Sequence, residues 1–245
     1  MSSDISVQGQ VVIVAGASSG MGRSTARLLA ESGAKVVMAA RRQEDLSQLQ
    51  GELEARGLEA ISCPTDTRDR EQVERLVRVA MDHLGRVDAL VYTTGINRPQ
   101  RAISVLPPET WDDMVATNLT GAFHCTQALL PQMISQAGGL FVYISSGAVR
   151  GPHSAGVAYM ASKHALKGLA DGVQFEHHRD GIRCTILVPG LTDTPMLNDR
   201  PIPTAPEQLA AALGPDDIAL ACRFVVGLPK HIWIPEIGVR PVGIL

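Results

Sequence analysis

Short apolar runs alternate with helix-like segments about six times along this chain, and this alternation restricts the fold more than any other feature. The first run, Val11–Val14, is β-branched and contains no polar residue, as expected of a strand buried on both faces. The connections between runs are too long for hairpins, so successive strands must run parallel with helices crossing between them. We predict a single α/β domain over residues 1–245, doubly wound, with a mostly parallel sheet of about seven strands and helices on both faces.

The composition is that of an ordinary globular protein and excludes several classes. The 245 residues are 45% hydrophobic and 19% charged, with a formal net charge of −3. No apolar run approaches the ~18 residues of a membrane span, and no basic cluster marks a nucleic-acid site. The four cysteines are far apart, which favours buried free thiols over disulfides or a metal site. The N-terminus lacks the features of a signal peptide, so we expect a cytoplasmic protein that binds neither membrane nor nucleic acid.

Three longer segments depart from the regular alternation. Residues 108–135 have the pattern of one long helix that bends or ends near Pro131, and residues 157–179 that of a second long helix. Residues 191–214 contain four prolines, which exclude a long helix and predict a mobile substrate lid with a short helix at Glu207–Leu213. Ligands of parallel sheets bind beyond the carboxyl ends of the strands, so the segments that follow strands hold the candidate site residues.

A glycine-rich turn follows the first predicted strand and opens the next helix. Its sequence is Gly16-Ala17-Ser18-Ser19-Gly20-Met21-Gly22. Glycines let a backbone approach a phosphate closely, and a helix N-terminus offers free N–H groups and a partial positive charge. The turn therefore predicts a dinucleotide-binding site.

The end of the second predicted strand indicates which dinucleotide is bound. A site that prefers NAD usually has a carboxylate there for the ribose 2′-hydroxyl, but this chain has Ala40, Arg41 and Arg42. A guanidinium suits the 2′-phosphate of NADP. We therefore predict NADP(H) rather than NAD(H), with Arg41 as the main contact. Arg42 also fits a second interpretation, a solvated arginine at the start of a helix.

Tyr159 and Lys163 are spaced to share one face of the second long helix. A nearby ammonium favours the phenolate, so we expect the pKa of Tyr159 to move from its usual ~10 toward neutrality. This makes Tyr159 a candidate general acid or base.

Together with Ser146, thirteen positions before Tyr159, and with Asn118 in Asn118-Leu119-Thr120-Gly121, these motifs resemble the short-chain dehydrogenase/reductase family over about residues 8–240. The resemblance implies a Rossmann-like fold and hydride transfer between NADP(H) and a carbonyl or alcohol substrate. It implies that Tyr159 exchanges a proton with the substrate oxygen, which Ser146 hydrogen-bonds. It also implies that Lys163 holds the nicotinamide ribose and lowers the Tyr159 pKa, while Asn118 supports a proton-relaying water. A homotetramer or homodimer joined through the two long helices is implied as well.

The resemblance also assigns cofactor contacts beyond the glycine turn. Asp66 and Thr67 match the adenine side, and the loop from Pro189 to Thr194 matches the nicotinamide side. The complete predicted cofactor set is Gly16, Ser18, Ser19, Gly20, Met21, Gly22, Arg41, Arg42, Asp66, Thr67, Gly95, Tyr159, Lys163, Pro189, Gly190, Thr192 and Thr194.

The chain departs from the family pattern at three places. Tyr92-Thr93-Thr94 precedes Gly95 where Asn-Asn-Ala is usual, Ala15 stands where Thr is usual, and Val188 where Asn is usual. In the family, the Thr hydroxyl ties the glycine turn to the fourth strand, and here both partners have changed. Losing both partners of a buried hydrogen bond is nearly neutral, so we interpret the changes as altered support for the site rather than inactivation.

The C-terminal run Ile232–Pro241 and Thr192-Asp193-Thr194 resemble an NADP-using branch that includes hydroxy-acid and serine dehydrogenases and the aldehyde reductase of the clavulanic acid pathway. The substrate pocket is expected from residues 96–101, 146–153 and 191–196. Within it, His153 either contacts substrate or caps its loop. Arg98 and Arg101 either bind a substrate carboxylate or are solvated loop charges.

Two other functions fit the same fold. A catalytically silent NADP(H)-binding regulatory protein would usually have lost a catalytic residue, yet Asn118, Ser146, Tyr159 and Lys163 are all present. An epimerase or dehydratase would usually be longer, with a larger C-terminal substrate region. The oxidoreductase is therefore the favoured interpretation.

Overall fold

The computed structural model describes residues 5–151 and 153–243 and contains a sheet of seven parallel strands. The strands are β1 Val11–Ala15, β2 Lys35–Ala40, β3 Ala60–Pro64, β4 Ala89–Tyr92, β5 Gly139–Ile144, β6 Ile182–Pro189 and β7 Glu236–Val239. Their order across the sheet is β3-β2-β1-β4-β5-β6-β7. The predicted doubly wound α/β fold is therefore confirmed.

Helices cover both faces of the sheet. They are α1 Gly20–Glu31, α2 Gln43–Glu54, α3 Arg70–Leu84, α4 Pro108–Val115, α5 Gly121–Ser135, α6 Val157–His177, α7 Pro206–Ala210 and α8 Pro215–Val226. Alternate residues of β1 point to opposite faces, so Val12 packs with α1, α2 and α8 while Ile13 packs with α3, α5 and α6. The two resulting cores hold the sheet rigid between them.

The strand order creates a switch point between β1 and β4. The chain winds outward from β1 to β3 and then returns to place β4 on the other side of β1. The connections that leave β1 and β4 therefore diverge, and a crevice opens above the carboxyl ends of these two strands. Open α/β sheets bind ligands at such a point.

The segment predicted as one long helix is divided by a π-helical turn. Residues Ala116–Thr120 form that turn between α4 and α5. The helix does not end at Pro131, which lies inside α5. Proline costs one backbone hydrogen bond there, and burial of the α5 side chains Cys125, Leu129 and Met133 offsets that loss.

The proline-rich segment 191–214 is irregular, as predicted. It contains a 3-10 turn at Pro195–Asp199 and the short helix α7, which begins one residue earlier and ends sooner than the predicted helix. A backbone bridge between Thr192 and Leu213 closes its two ends.

All four cysteines are buried and free, which agrees with the prediction of reduced thiols. Within the described residues, no helix combines the length and the apolar character needed to cross a bilayer.

Candidate active site

The glycine turn lies directly above the switch point. Gly16 has a φ of 92° and Gly20 a φ of 51°, values that favour glycine. Gly22 is required for a different reason, because a Cβ there would overlap the carbonyl oxygen of Gly16. Ser19 precedes α1 without a side-chain hydrogen bond to the helix end, so the first N–H groups of α1 remain available to an anion.

A cavity of about 360 Å³ runs from this turn across the carboxyl ends of β1 to β4. Most of the predicted cofactor residues line it, namely Gly16, Ser18, Ser19, Gly20, Met21, Gly22, Arg41, Arg42, Asp66, Thr67, Gly95 and Thr194. We call it the nucleotide cavity. The sequence-derived residues on four separate strand ends thus converge on one crevice.

The two arginines at the end of β2 differ in their surroundings. Arg42 forms an ion pair with Asp45 and donates to the Ser18 hydroxyl at 3.4 Å. Arg41 is exposed at the cavity rim and has neither an ion pair nor a hydrogen bond among residues 5–151 and 153–243. The guanidinium without a partner is therefore the one that the sequence singled out for a 2′-phosphate.

Asp66 and Thr67 reach the cavity but are already engaged by the protein. Arg68 binds the Asp66 carboxylate at 2.6 Å, and its hydrogen bonds hold the pKa of that carboxyl below its usual value. Thr67 is buried and its hydroxyl lies 3.1 Å from the hydroxyl of Tyr92. Asp66 thus keeps its charge at the rim, while the Thr67 side chain turns toward the core.

Tyr159 lies on the first turns of α6, with its hydroxyl beside that of Ser146. Burial raises the pKa of Tyr159, while the nearby Ser146 hydroxyl and the charges of Arg200 and Arg101 act in the opposite direction. This differs from the expected shift toward neutrality. The reason is geometric, because the Lys163 Nζ lies 5.9 Å from the centre of the Tyr159 ring and is bound elsewhere. The phenol is therefore protonated at neutral pH.

Lys163 is almost completely buried beneath the nucleotide cavity. Its Nζ donates to the Ile144 carbonyl at 2.8 Å, and burial lowers its pKa from 10.5 to about 8. A Cβ at Gly95 would lie only 3.0 Å from this Nζ, so the glycine leaves open the path between the ammonium and the cavity. The sequence-predicted pairing with Tyr159 is thus one of shared face rather than direct contact.

Asn118 lies in the π-helical turn and fixes the segment that follows β4. Its Nδ2 donates to the Ile96 carbonyl at 3.1 Å and to the Ser162 hydroxyl at 3.0 Å. Its Oδ1 accepts from the Ile96 N–H at 2.7 Å. The buried side-chain amide therefore joins three elements: the π turn, the segment at Ile96 and helix α6.

Tyr92 is a site residue whose role the sequence analysis did not identify. Its buried hydroxyl donates to the Thr117 carbonyl at 2.7 Å, inside the π-helical turn that carries Asn118. The signal was present, because Tyr92 replaces the asparagine that the family usually has. Without a structure, nothing in the sequence showed which group this phenol would reach.

Thr93 corrects the interpretation that the tie between the glycine turn and β4 was lost. Its hydroxyl donates to the Ala15 carbonyl at 2.6 Å. The side chain of this tie now comes from β4 and the backbone group from β1, which is the reverse of the family arrangement. The bond survives because the two strands are adjacent and in register, with Ala15 opposite Tyr92.

A second cavity of about 330 Å³ adjoins the first, and we call it the substrate cavity. Tyr159 and Ser146 line it, and Met21, Thr194 and Met196 line both cavities. The Tyr159 and Ser146 hydroxyls therefore belong to a cavity that is continuous with the nucleotide cavity.

The loop after β6 forms one wall of the substrate cavity through Pro189, Gly190 and Thr192. The Gly190 N–H donates to the Val239 carbonyl at 2.7 Å, and the Thr192 hydroxyl donates to the Gly190 carbonyl at 3.1 Å. These bonds connect the start of the proline-rich segment to the rigid sheet.

The three segments predicted to build the substrate pocket all contribute to this cavity. His153 lines it and also caps its own loop, since its Nδ1 accepts from the Ala155 N–H at 3.0 Å. Arg98 does not line it, because Arg98 faces the nucleotide cavity and pairs with Asp113 at 2.8 Å. Arg101 is the arginine of this loop that lines the substrate cavity.

Fold and site define a class of α/β proteins with a crevice at the switch point and, beside it, a cluster in which Tyr159 and Ser146 line a cavity over the buried Lys163 and Asn118. A family model described as short chain dehydrogenase matches residues 10–203. An uncharacterized oxidoreductase of Listeria monocytogenes is 33% identical over 246 residues, covering 98% of this chain and 99% of that protein. The chain belongs to the short-chain dehydrogenase family.

Solved structures with the same fold carry different nucleotides. An alcohol dehydrogenase from the archaeon Thermococcus sibiricus, complexed with 5-hydroxy-NADP, has a TM-score of 0.86 at 28% identity, covering 96% of this chain and 97% of that one. A 3-ketoacyl-(acyl-carrier-protein) reductase from Brucella melitensis, complexed with NADH, has a TM-score of 0.87 at 25% identity, covering 97% and 99%. The likeness extends over nearly the whole chain and leaves the choice of nucleotide to the residues at the end of β2.

Proposed function

We propose that the protein is an NADP(H)-dependent oxidoreductase that transfers a hydride between the nicotinamide and a carbonyl or alcohol substrate. The observation that carries this proposal is that the nucleotide cavity meets the substrate cavity, which Tyr159 and Ser146 line. A dinucleotide lying along the nucleotide cavity from Arg41 would end at that meeting point. The acid/base group and the redox group would then face the same substrate atoms.

The residues of the nucleotide cavity fit such a cofactor. Gly16 and Gly22 permit the tight turn that precedes and opens α1, and the free N–H groups of α1 suit a pyrophosphate. Arg41 supplies a cation without a partner among the described residues, as a 2′-phosphate requires. When bound, the nicotinamide supplies a hydride in reduction and accepts one in oxidation.

The protein's part in the reduction is to deliver a proton. Tyr159 is protonated at neutral pH because burial raises its pKa, so it is a donor for the substrate oxygen. Ser146 offers a second hydrogen bond to the same oxygen. As the carbonyl carbon gains the hydride, the C=O electron pair moves to oxygen, which takes the Tyr159 proton to give the alcohol. Oxidation reverses each step, with the phenolate as the base.

Lys163 and Asn118 support this step from beneath the site. Lys163 stays mostly charged below its pKa of about 8 and stabilises the phenolate that proton donation leaves. Asn118 holds the segment at Ile96, which lines the nucleotide cavity, against α6. It thereby fixes the position of this cavity relative to Tyr159. The ribose contact of Lys163 and the water supported by Asn118 belong to this proposal.

We further propose a homo-oligomer, a tetramer or dimer, that works in the cytoplasm. The segment 108–135 and helix α6 leave large apolar side chains exposed: Trp111 by 36%, Phe123 by 42%, Val157 by 38% and Phe175 by 81%. Such faces favour association with a second copy. The free buried cysteines are typical of a reducing compartment. Light scattering at micromolar concentration tests the oligomer.

A screen of aldehydes and ketones, followed through NADPH and NADH absorbance, tests the proposed activity. We expect oxidation of NADPH with at least one compound and little oxidation of NADH at equal concentration. Tight NADPH binding without turnover of any carbonyl compound would instead favour the regulatory protein, which keeps the fold and binds the nucleotide without reacting.

A further inference from the structure

The substrate cavity contains two arginines and no acidic residue among those that line it. Arg101 comes from the loop after β4, and Arg200 follows the 3-10 turn of the proline-rich segment. Besides Tyr159, the other titratable side chain among the described lining residues is His153, whose pKa is lowered by burial and by these two cations, so the imidazole is neutral at pH 7. The cavity is therefore positively charged next to Tyr159.

Neither arginine has a carboxylate partner among residues 5–151 and 153–243. The Nε of Arg101 is buried there without any hydrogen bond, and Arg200 has only the Thr204 hydroxyl, at 3.1 Å from its Nη1. The acidic residue Asp199 lies next to Arg200 in sequence but lines the nucleotide cavity. A buried donor without a partner is costly, and the Nε of Arg101 is such a donor.

The arginines of the neighbouring cavity are different. Arg98 and Arg68 both pair with Asp113, at 2.8 Å and 2.9 Å, and Arg42 pairs with Asp45. Of the arginines that line the nucleotide cavity, only Arg41 is unpaired within the described residues, and a 2′-phosphate would account for it. Unpaired cations thus coincide with places where an anionic ligand group is expected.

The backbone fixes Arg101 relative to Tyr159. A Cβ at Gly156 would lie 2.6 Å from the Arg101 Cβ, so this loop packs directly on the residue that precedes α6. Tyr159 lies on the first turn of that helix. The charges of Arg200 and Arg101 both lower the Tyr159 pKa, which reflects how near they are to the phenol.

Resting on the proposed function, we propose that the substrate carries an oxyanion, a carboxylate or a phosphate, that binds between Arg101 and Arg200 while its carbonyl group lies at Tyr159 and Ser146. The oxyanion supplies the partner that both guanidiniums lack. Each charged hydrogen bond of this kind changes affinity by about 10- to 150-fold. A neutral ketone of the same size leaves both arginines unpaired and is a poor substrate.

The test compares matched substrates and matched variants. Wild type, Arg101→Gln, Arg200→Gln and the control Arg78→Gln are assayed for NADPH oxidation with 2-oxo and 3-oxo acids and with their methyl esters. Arg78 is exposed on α3 and does not line either cavity. Dihydroxyacetone phosphate and dihydroxyacetone form a second pair, which distinguishes a phosphate from a carboxylate.

We expect wild type and Arg78→Gln to prefer the anionic member of a pair by at least about tenfold in kcat/KM. Each cavity variant should lose about 10- to 150-fold on the anion, mainly through KM, and little on the neutral partner. Equal use of acids and esters by wild type, or equal losses on both in the variants, overturns the proposal while leaving the oxidoreductase activity intact.

If no compound is reduced, the proposed function fails, and binding alone decides the present inference. Calorimetric titration of the same oxo acids and of dihydroxyacetone phosphate into the NADP⁺-loaded protein then provides the readout. Binding to wild type that is lost in Arg101→Gln and Arg200→Gln supports the anion site. Absence of binding to wild type, or binding that both variants keep, contradicts it.

Discussion

The two cavities that meet beside Tyr159 are built from different kinds of structure. The nucleotide cavity lies on strand ends and helix starts, and most of its arginines are paired with carboxylates. The substrate cavity is walled largely by loops, including the proline-rich segment, and its two arginines have no such partner among the described residues. The nucleotide cavity thus lies on regular structure and keeps one unpaired arginine, Arg41, whereas the substrate cavity is lined by irregular loops and both of its arginines lack a carboxylate partner among the described residues.

This difference indicates that the nucleotide cavity is the part shared within the family, whereas the loops of the substrate cavity determine which substrate this protein recognises. Steric limits on the backbone determine the glycine turn of the nucleotide cavity, because only glycine fits at positions 16 and 22. Loop residues such as Arg101 and Arg200 are free to vary without disturbing the sheet. Substitutions in the nucleotide cavity should therefore affect the reaction of every substrate alike. Substitutions in the loops that line the substrate cavity should change which substrate is preferred.

The largest effect is expected from Gly22→Ala. The new Cβ overlaps the Gly16 carbonyl oxygen, so the turn must shift, with a loss of about 3 kcal/mol in the free energy of unfolding and loss of nucleotide binding. Gly51→Ala is the matched control, because Gly51 lies in α2 with open space around it, and alanine there should stabilise by about 0.5–1 kcal/mol. Denaturant unfolding and NADPH fluorescence titration measure both. A Gly22→Ala protein that binds NADPH normally would contradict the steric account.

Arg41→Gln should change nucleotide preference without changing the fold. Loss of a charged hydrogen bond to the 2′-phosphate corresponds to about 1.5–3 kcal/mol, or roughly 10- to 150-fold weaker NADPH binding, with NADH affinity unchanged. Arg42→Gln should have a smaller effect, because Asp45 already neutralises that guanidinium. Equal affinities of wild type for the two nucleotides, or an unchanged ratio in Arg41→Gln, would remove the basis for NADP preference.

Tyr92→Phe tests whether the π-helical turn supports catalysis. It leaves the Thr117 carbonyl without its hydroxyl donor, at a cost of about 1–3 kcal/mol in stability. Tyr143→Phe is a matched control, since that buried hydroxyl bonds Thr126 at 2.7 Å and does not contact the π turn. Both variants should lose similar stability, but only Tyr92→Phe should lower kcat, because the turn carries Asn118. Equal kcat values for the two would show that Tyr92 is purely structural.

The smallest expected effect is a change in hydrogen exchange in the proline-rich segment 191–214, which we expect to act as a lid. Hydrogen exchange in residues 191–214 should slow when NADP⁺ and a carbonyl ligand bind together, and less with NADP⁺ alone. Amides of the glycine turn should be protected by NADP⁺ alone. Peptides from β6 serve as the control, since the sheet core should not respond. The same exchange in 191–214 with and without ligands would mean that no gating occurs.

Sequence patterns predicted the strand ends around the nucleotide cavity well, but the loops that line the substrate cavity only in outline. Strand alternation and the glycine spacing are local signals, so the fold and the glycine turn followed from them, whereas Asp66, Thr67 and Thr194 were expected only from the family resemblance. The π-helical turn did not follow, since its Thr117 carbonyl accepts from the Tyr92 hydroxyl, a contact between distant residues that no local pattern reveals. The direction of the Tyr159 pKa shift also escaped prediction, since helical spacing shows a shared face but not the burial or the bond that holds Lys163 at Ile144.

The sequence also could not predict that Arg98 and Arg101 enter different cavities. The two residues lie in one loop, yet Arg98 pairs with Asp113 in the nucleotide cavity while Arg101 enters the substrate cavity. Ion pairs between segments far apart in sequence decide which charge is left unpaired. Only the three-dimensional arrangement supplies that information.

The central claim is that Tyr159 donates the proton, and single-turnover NADPH oxidation by wild type and Tyr159→Phe tests it most directly. The assay uses the best carbonyl compound of the screen, with NADPH affinity measured on the same samples as the check on folding. We expect the rate to fall by at least the 10²–10⁴-fold typical of positioned proton transfer, with NADPH affinity nearly unchanged. A Tyr159→Phe protein that binds NADPH and keeps most of its rate would contradict the assignment of Tyr159.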